Sequence, residues 1–340
     1  MFKKSLLASV IAGAMITPAF ADLNIGADLE LNTDMIDTSL ESAEYKQSGH
    51  VEIAATAKRE MGEYFVAGKG AFRLQTSDGV AIRDAFIQLG NNTWDVQAGR
   101  FEAVNLTPKG KDTIIEHAGG SEVSVYEASY VRGRFGKNDS GQVALHFNAS
   151  DSLKFELATA FGDFEGGDEV DKQAFTGIRP AVMWSSEVVN LTVGYEQVKY
   201  DSEFAAVPAT FTSAATPAGT KKVNKNGFGA NANFNVSGAD VNLNLAQSKD
   251  KESKDKVNTY AINVTYGDFG AGYIHSKTDF DAAATKDTKV STTYAAYTMP
   301  LLGIEGASAT VAGSYSSASD VSQAVSDKTT ALRLRLNYTF

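Results

Sequence analysis

Residues 328–340 read KTTALRLRLNYTF, a stretch in which large apolar residues alternate with polar or small ones. Arg333 and Arg335 lie on one face, and leucines between them lie on the other. A period of two indicates a β-strand whose faces meet unlike surroundings. Lipid outside and water inside give this pattern in outer-membrane barrels. Tyr338 and Phe340 end the apolar face, and we interpret this aromatic ending as an assembly signal.

The same alternation recurs along the chain, for example over residues 22–31, 228–236 and 241–246. The composition agrees, because 30 glycines, six prolines and 10% aromatic residues favour strands over helical packing. After residue 21 no run reaches the roughly 18 apolar residues that a membrane-crossing helix needs. The strands of a membrane barrel are only half apolar, so the mean hydropathy of −0.19 is compatible with one.

Short and long connections alternate between these segments. Seven tight links fall near residues 59–63, 90–92, 149–152, 185–187, 237–239, 267–268 and 302–306. Eight further links fall near residues 32–47, 75–80, 101–130, 164–173, 201–225, 249–255, 280–287 and 320–327. Residues 126–135 could form one more strand, but the strand count would then be odd, so we assign them to the returning arm of the third loop. Seven and eight links predict 16 antiparallel strands, and an even count returns both chain ends to one side.

The number of strands determines what a barrel can enclose. Eight strands fill their interior with side chains, whereas about 16 leave an aqueous channel. The sequence therefore predicts an all-β fold, a transmembrane antiparallel β-barrel of 16 strands around a water-filled pore.

The first 21 residues have a different character. Lys3 and Lys4 precede an apolar run over residues 6–16, and the sequence AFA follows at residues 19–21. This order of a basic region, an apolar region and a small-x-small site is typical of a cleaved secretory signal. An uncleaved N-terminal anchor is the alternative, but the run is shorter than the ~20 residues that span a bilayer. We expect a signal peptide at residues 1–21, one barrel domain at 22–340, and a location in an outer membrane.

Charge and histidine content exclude several function classes. With 31 basic and 41 acidic residues the net charge is −10, which disfavours a nucleic-acid partner. The four histidines, His50, His117, His146 and His275, lie in no catalytic or zinc-binding motif, and the chain has no cysteine. There is no phosphate-binding loop either. The sequence therefore predicts no enzyme, no bound metal and no cofactor.

Three short motifs carry a family resemblance. Residues 112–120, DTIIEHAGG, place Asp112 and Glu116 four residues apart before a pair of glycines. The sequence RDAF occurs at residues 83–86, and a Gly-Arg pair ends at Arg134. These motifs resemble the third loop and two wall segments of the general diffusion porins of Gram-negative outer membranes. The resemblance extends loosely over the chain from residue 22 onward.

This resemblance implies a constriction. In such porins the third loop, here about residues 101–130, folds into the barrel lumen and carries acidic groups. Asp112 and Glu116 would therefore face the wall arginines Arg83 and Arg134. The sequence departs from the family pattern in having His-Ala before the glycines, where one aromatic residue is usual.

Periodicity adds basic residues to this wall independently of the resemblance. Five of them lie opposite apolar neighbours, namely Lys58, Lys69, Arg73, Arg333 and Arg335. Of the nine arginines, all except Arg59 and Arg100 are placed inside the pore, Arg179 among them. Cations then outnumber acids near the constriction, although Glu52 and Asp28 offset them in part. We therefore predict a modest preference for small anions.

The outward face suggests contacts between subunits. Arg100 has the parity of Trp94, so we interpret it as an interface residue that pairs with an acid such as Asp78 of a neighbour; an isolated solvated arginine is the alternative. Strands two to five carry small outward residues suited to close protein contact, namely Ala55, Ala57, Gly68, Gly70 and Ala98. Together with the trimers that the resemblance implies, this predicts a homotrimer.

Two functions are compatible with this pattern. The first is passive diffusion of small hydrophilic solutes and ions through the channel. The second is a channel specific for a sugar or phosphate compound, or a receptor barrel whose loops bind a partner. A sugar path would need a run of aromatic residues, and the predicted lumen has few, so diffusion is favoured. The charged residues 248–256 are interpreted as an outer loop that contacts lipopolysaccharide or solvent. The other expected partners are outer-membrane lipid and the barrel insertion machinery.

Overall fold

The computed structural model describes residues 22–111, 113–135, 139–164, 172–204, 219–282 and 285–340. The signal-peptide prediction lies outside these residues. Within them the chain forms one closed barrel in which each strand pairs antiparallel with the next and the first strand pairs with the last. The strands are β1 Asp22–Thr38, β2 Glu44–Met61, β3 Tyr64–Gln75, β4 Val80–Asn91, β5 Trp94–Arg100, β6 Ser140–Asn148, β7 Leu153–Phe164, β8 Lys172–Ser185, β9 Asn190–Phe204, β10 Gly219–Val236, β11 Ala239–Asp250, β12 Lys256–Tyr266, β13 Phe269–Asp279, β14 Thr288–Pro300, β15 Ala307–Ser319 and β16 Lys328–Thr339.

The predicted count of 16 strands and the alternation of tight and longer connections are confirmed. Residues 126–135 form no strand, so their assignment to the third loop is also confirmed. The predicted first link, residues 32–47, is mostly strand, because β1 and β2 continue to Thr38 and from Glu44. Its polar residues are wall residues, and Asp34 pairs with Arg333 of β16. Among the described residues, no helix has both the length and the apolar character needed to cross a membrane.

The two faces of the barrel wall differ as the alternation predicts. On β16, Leu332 and Leu334 are about half exposed, at 50% and 47%, whereas Ala331 is buried. We call the side of the exposed apolar residues the apolar face and the other side the polar face. Exposed apolar residues on nearly every strand make the apolar face suitable for lipid.

A β-bulge interrupts this alternation once in the region of the predicted wall. Gly70 pairs with Ala85 and Phe72 pairs with Ile82, so two residues of β4 stand against one of β3. The two residues are Arg83 and Asp84, and both side chains reach charged partners of the polar face. With strict alternation, one of these two side chains would lie on the apolar face.

Candidate channel site

The third loop, residues 101–139, is long, and its described residues contain only one regular element, a 3₁₀ turn at Gly120–Glu122. Its outgoing arm follows the polar face of successive strands. The carbonyl of Pro108 accepts hydrogen bonds from Asn244 of β11 at 2.8 Å and from Asn263 of β12 at 2.7 Å. Farther along, the backbone N–H of Ala118 donates to Ser316 of β15 at 2.9 Å. The loop thus contacts strands far from its own attachment points at β5 and β6.

The tip of the loop is attached to the connection between β15 and β16. The carboxylate of Glu122 accepts hydrogen bonds from the backbone N–H of Ser322 at 2.7 Å and from its hydroxyl at 2.5 Å. These bonds hold the pKa of Glu122 below its usual value. The carbonyl of Glu122 also accepts from Thr288 of β14 at 2.8 Å, and the N–H of Gly119 donates to the carbonyl of Ser326 at 2.7 Å.

Small residues on the polar face make room for the loop. A Cβ atom on Gly229 of β10 would lie 2.5 Å from the Cβ of Ala128 and 2.9 Å from that of Leu106, residues of the two loop arms. A Cβ on Gly194 of β9 would lie 2.6 Å from Leu106. Because real Cβ atoms do not approach so closely, glycine at these positions is required by the packing of the loop.

Two loop residues before the glycine pair, Glu116 and His117, have distinct surroundings. The N–H of Glu116 donates to Ser314 at 3.3 Å, and its carboxylate is close enough to interact electrostatically with Arg333. His117 shares a hydrogen bond of 2.7 Å with the hydroxyl of Thr292, and burial lowers the pKa of the imidazole. A hydrogen-bonded histidine thus occupies the place where the resemblance implied an aromatic residue. Asp112, the other predicted acid, lies outside the described residues.

Six of the seven predicted basic residues lie on the polar face of β2, β3, β4 and β16, the seventh, Arg134, lies in the third loop, and all seven are paired with acids. Their contacts with acids of the strands are Arg73–Glu52 at 2.5 Å, Lys69–Asp84 at 2.6 Å, Lys58–Glu60 at 2.6 Å, Arg333–Asp34 at 2.7 Å, Arg134–Asp84 at 2.8 Å, Arg335–Glu30 at 3.2 Å and Arg83–Glu52 at 3.8 Å. We call this set the charged wall. Arg134 and Arg132 also contact Glu102 of the loop.

Sequence reasoning missed most of the acids in this set. Of the wall's acids it expected only Glu52 to offset the cations; Glu30 was placed on the polar face by alternation but given no partner, and Asp34, Glu60 and Asp84 were not named. The signal was available for Glu30 and Asp34, because they have the parity of Asp28 on β1 and lie across from β16. No such signal existed for Asp84, because the bulge reverses its parity.

Arg179 is on the polar face, as expected, but it lies beneath the third loop and is 0% exposed. Its guanidinium donates to the carbonyl of Val104 at 2.7 Å and contacts Glu156 at 3.3 Å and Glu196 at 3.5 Å. The prediction that this arginine faces an open pore is therefore wrong. The cause is the loop, whose path no strand periodicity reveals.

Comparisons with known proteins agree with this geometry. A family model described as porin-like glycoporin RafY matches residues 72–340. The chain belongs to this porin family. A comparison with curated proteins finds no match.

Solved structures of an outer membrane protein and of two porins share the fold at low sequence identity. OmpT of Vibrio cholerae, in its trimer form, is 11% identical with a TM-score of 0.66, and the match covers 94% of this porin and all of that chain. The anion-selective porin from Comamonas acidovorans is 12% identical with a TM-score of 0.67 and the same coverage. A mutant of the porin of Rh. blastica is 15% identical with a TM-score of 0.54, again with the same coverage.

The porin family and the closed barrel point to a channel in the outer membrane and not to an enzyme. Over the part of the chain that the structure describes, no group of three histidine or acidic residues is arranged to hold a metal ion.

Arg100, the predicted interface residue, makes contacts within its own chain. Its Nε donates to the carbonyl of Ile82 at 3.0 Å, and Nη1 donates to the carbonyl of Arg134. Asp78 lies in the connection between β3 and β4, where it accepts a hydrogen bond from Gly79 at 2.8 Å. The two residues do not meet within one protomer, and their pairing between neighbours remains a prediction.

Proposed function

We propose that this porin forms a water-filled channel for the passive diffusion of small hydrophilic solutes and ions, and that its third loop lies in the lumen and narrows it. One observation carries the proposal. The loop is hydrogen-bonded to the polar face of strands from β7 round to β15, and its residues Ile114 and Phe101 pack near β16 and β4. This supports a remaining space along the ion pairs of the charged wall. A barrel of about 16 strands is wide enough to leave such a space.

The proposed constriction combines cations on the charged wall with Glu116 and Asp112 on the loop. Opposite unit charges 4 Å apart interact by roughly 4 kcal/mol at an effective dielectric constant of 20. A field of this kind orients dipolar solutes and penalises apolar ones. Because each cation of the charged wall has an acidic partner, we expect the channel to discriminate weakly by charge.

We propose a modest anion preference on the same basis. Selectivity depends on the charges that line the constriction, and charges at the rim are screened over about 8 Å at physiological salt. Arg83 supports the preference, since its acidic partner Glu52 is 3.8 Å away and is shared with Arg73. The solved anion-selective porin from Comamonas acidovorans has the same fold. The acids of the wall reduce the size of the effect we expect.

A channel specific for a sugar is the alternative, and the description of the family as glycoporin favours it. The aromatic residues of the polar face argue against it. Phe175 stacks on Tyr200 with ring centres 5.7 Å apart and contacts Phe135 of the loop at 5.4 Å. These rings pack the loop against β8 and β9, so they form a packing cluster and not a path along the channel.

Measurements in planar bilayers test the function. We expect single-channel conductance and a reversal potential under a salt gradient that indicates anion preference. Arg83→Ala with Arg134→Ala should shift the reversal potential toward cations, and Asp112→Asn with Glu116→Gln should shift it toward anions. A cation-selective wild type, or variants that leave the potential unmoved, would contradict the proposed lining. Added sugars should not block the current, and a saturable block would favour the alternative.

We further propose that the porin is exported by its signal peptide, inserted by the barrel machinery through its terminal Phe340, and assembled as a homotrimer in contact with lipopolysaccharide. Deleting Phe340 should lower the amount of folded, heat-modifiable protein. Native mass measurement in mild detergent should give a trimer, and Arg100→Ala or Asp78→Ala should weaken it. A clean monomer for the wild type would refute the assembly.

A further inference from the structure

A buried charged network lies between the third loop and the wall, on the far side of the barrel from the charged wall. Glu196 of β9 is fully buried. One carboxylate oxygen accepts hydrogen bonds from the hydroxyl of Tyr126 and from the N–H of Tyr130 at 2.8 Å. The other accepts from the N–H of Val131 at 3.0 Å. All three donors belong to the returning arm of the loop.

The outgoing arm is held by two neighbouring wall residues. Glu156 of β7 accepts a hydrogen bond from the N–H of Val104 at 3.0 Å, and Arg179 of β8 donates to the carbonyl of the same residue at 2.7 Å. Both backbone groups of Val104 are thereby bound to charged side chains. Charge-assisted hydrogen bonds of this kind are shorter and stronger than neutral ones.

Arg179 joins the two anchor points. Its guanidinium contacts Glu156 at 3.3 Å and Glu196 at 3.5 Å, so the two carboxylates share one buried cation. Behind Glu156, His146 bridges it to Asp95 at 3.3 and 2.6 Å. A buried ion without partners is unfavourable, so each member of the network depends on the others and on the loop.

We infer that Glu156, Arg179 and Glu196 are positioning residues that hold both arms of the third loop at one place on the wall and thereby set the width of the channel. The inference rests on the proposed function only in that a narrower lumen means a smaller current. Arg179 contacts both anchors, whereas Glu196 holds only the returning arm and Glu156 only the outgoing arm.

Cysteine labelling tests the position of the loop without relying on current. The chain has no cysteine, so Ala181→Cys introduces a single thiol. Ala181 of β8 is 2% exposed and belongs to one buried cluster with Leu106, Tyr126 and Ala128 of the loop. The thiol should react slowly with a water-soluble maleimide when Ala181→Cys is the only change, because the loop covers it.

Glu196→Gln should uncover this thiol. Glutamine keeps one acceptor oxygen but turns an N–H₂ group toward one set of donors. We expect the labelling rate of the introduced thiol to rise roughly tenfold, which corresponds to a shift of about 1.4 kcal/mol in the population with the loop displaced. The single-channel conductance should become larger and noisier. Tyr126→Phe removes only one donor and should give a smaller increase, which keeps the test available if Glu196→Gln assembles poorly.

Glu52→Gln is the matched control, because it removes the same charge from the charged wall without touching the loop. It should shift the reversal potential and leave the introduced thiol protected. Equal labelling of the thiol with Glu196→Gln, with Tyr126→Phe and with neither change would overturn the inference. If labelling rises but no variant, nor the wild type, conducts, the positioning role stands and the proposed function fails.

Discussion

The two sides of the polar face use ionic groups in opposite ways. On the charged wall, partly exposed side chains such as Arg73 and Glu52 pair with one another across adjacent strands. Beneath the third loop, Arg179 and Glu196 are fully buried and have loop backbone groups among their partners. The same alternation in sequence therefore yields a lining on one side and an attachment surface on the other.

This difference has an energetic basis. Partly exposed ion pairs such as Arg73–Glu52 contribute about 0–1 kcal/mol, so they can be changed without loss of the fold, although Asp34 and Asp84 of the same wall are buried. Breaking a buried pair by removing one partner costs roughly 3–5 kcal/mol, because an uncompensated charge remains. We therefore expect substitutions in the charged wall to alter selectivity, and substitutions beneath the loop to alter its position.

The largest effect should follow from a substitution that prevents the third loop from packing on the polar face beneath it. In Gly229→Ala the added methyl group would collide with Ala128 and Leu106, one on each arm. We expect the loop to be displaced and the single-channel conductance to rise about twofold, toward that of an open barrel of this size. Planar-bilayer recording measures this change.

Gly70→Ala is the matched control, because a Cβ at that position of β3 meets no atom within 4 Å. It should leave the conductance unchanged. Equal conductance in both variants would show that the loop does not limit the current.

A smaller effect should follow from unbalancing one pair of the charged wall. Arg333→Ala leaves Asp34, which is 3% exposed, without its two guanidinium hydrogen bonds of 2.7 Å. The reversal potential should shift toward cations, with the permeability ratio changing about twofold. Asp34→Asn should shift it the other way. The comparison between the two sides fails if Glu156→Gln, beneath the loop, shifts the potential as strongly.

Acid should loosen the loop tip by a still smaller amount. Hydrogen bonds from Ser322 lower the pKa of Glu122, so they stabilise the carboxylate form. The attachment is fully present above the usual pKa of a glutamate, about 4.3. It is lost as the pH falls through the lowered pKa of Glu122. Ser322→Ala should raise that pKa and weaken the attachment at every pH. The frequency of channel-closing events in bilayer recordings, measured between about pH 3 and 6, should therefore differ between Ser322→Ala and the wild type. If the two proteins show the same dependence of closing frequency on pH, Glu122 does not have this role.

The smallest effect should come from charges at the rim of the barrel, which belong neither to the charged wall nor to the surface beneath the third loop. Asp287, in the connection before β14, has its pKa lowered by Lys277 and by the N–H of Phe280. Because such rim charges are screened over about 8 Å at 0.15 M salt, Asp287→Asn should leave the reversal potential unchanged within error. At 0.01 M salt, where screening extends over about 30 Å, a small shift toward anions should appear. A large shift at physiological salt would place Asp287 nearer the constriction than we propose.

The sequence predicts the barrel well and the attachment surface poorly. Alternation with period two identifies each strand and the face of residues such as Arg333, because it is a local property of the chain. Asp84 escapes this reasoning, since a bulge reverses its parity. Glu196 escapes it too, because its donors are groups of a loop 65 to 70 residues away, and the backbone groups among them leave no mark on the sequence.

The polar side chains of β1 and β16 favour a single register where these two strands close the barrel. Asp34 stands opposite Arg333, and Asn32 stands opposite Arg335. A slip of one residue would turn the charged side chains of one strand toward lipid. A slip of two residues would leave Asp34 opposite Arg335 or Ala331 and break the paired set. Strands that lie 299 residues apart at this contact are thus held in one register by complementary polar side chains.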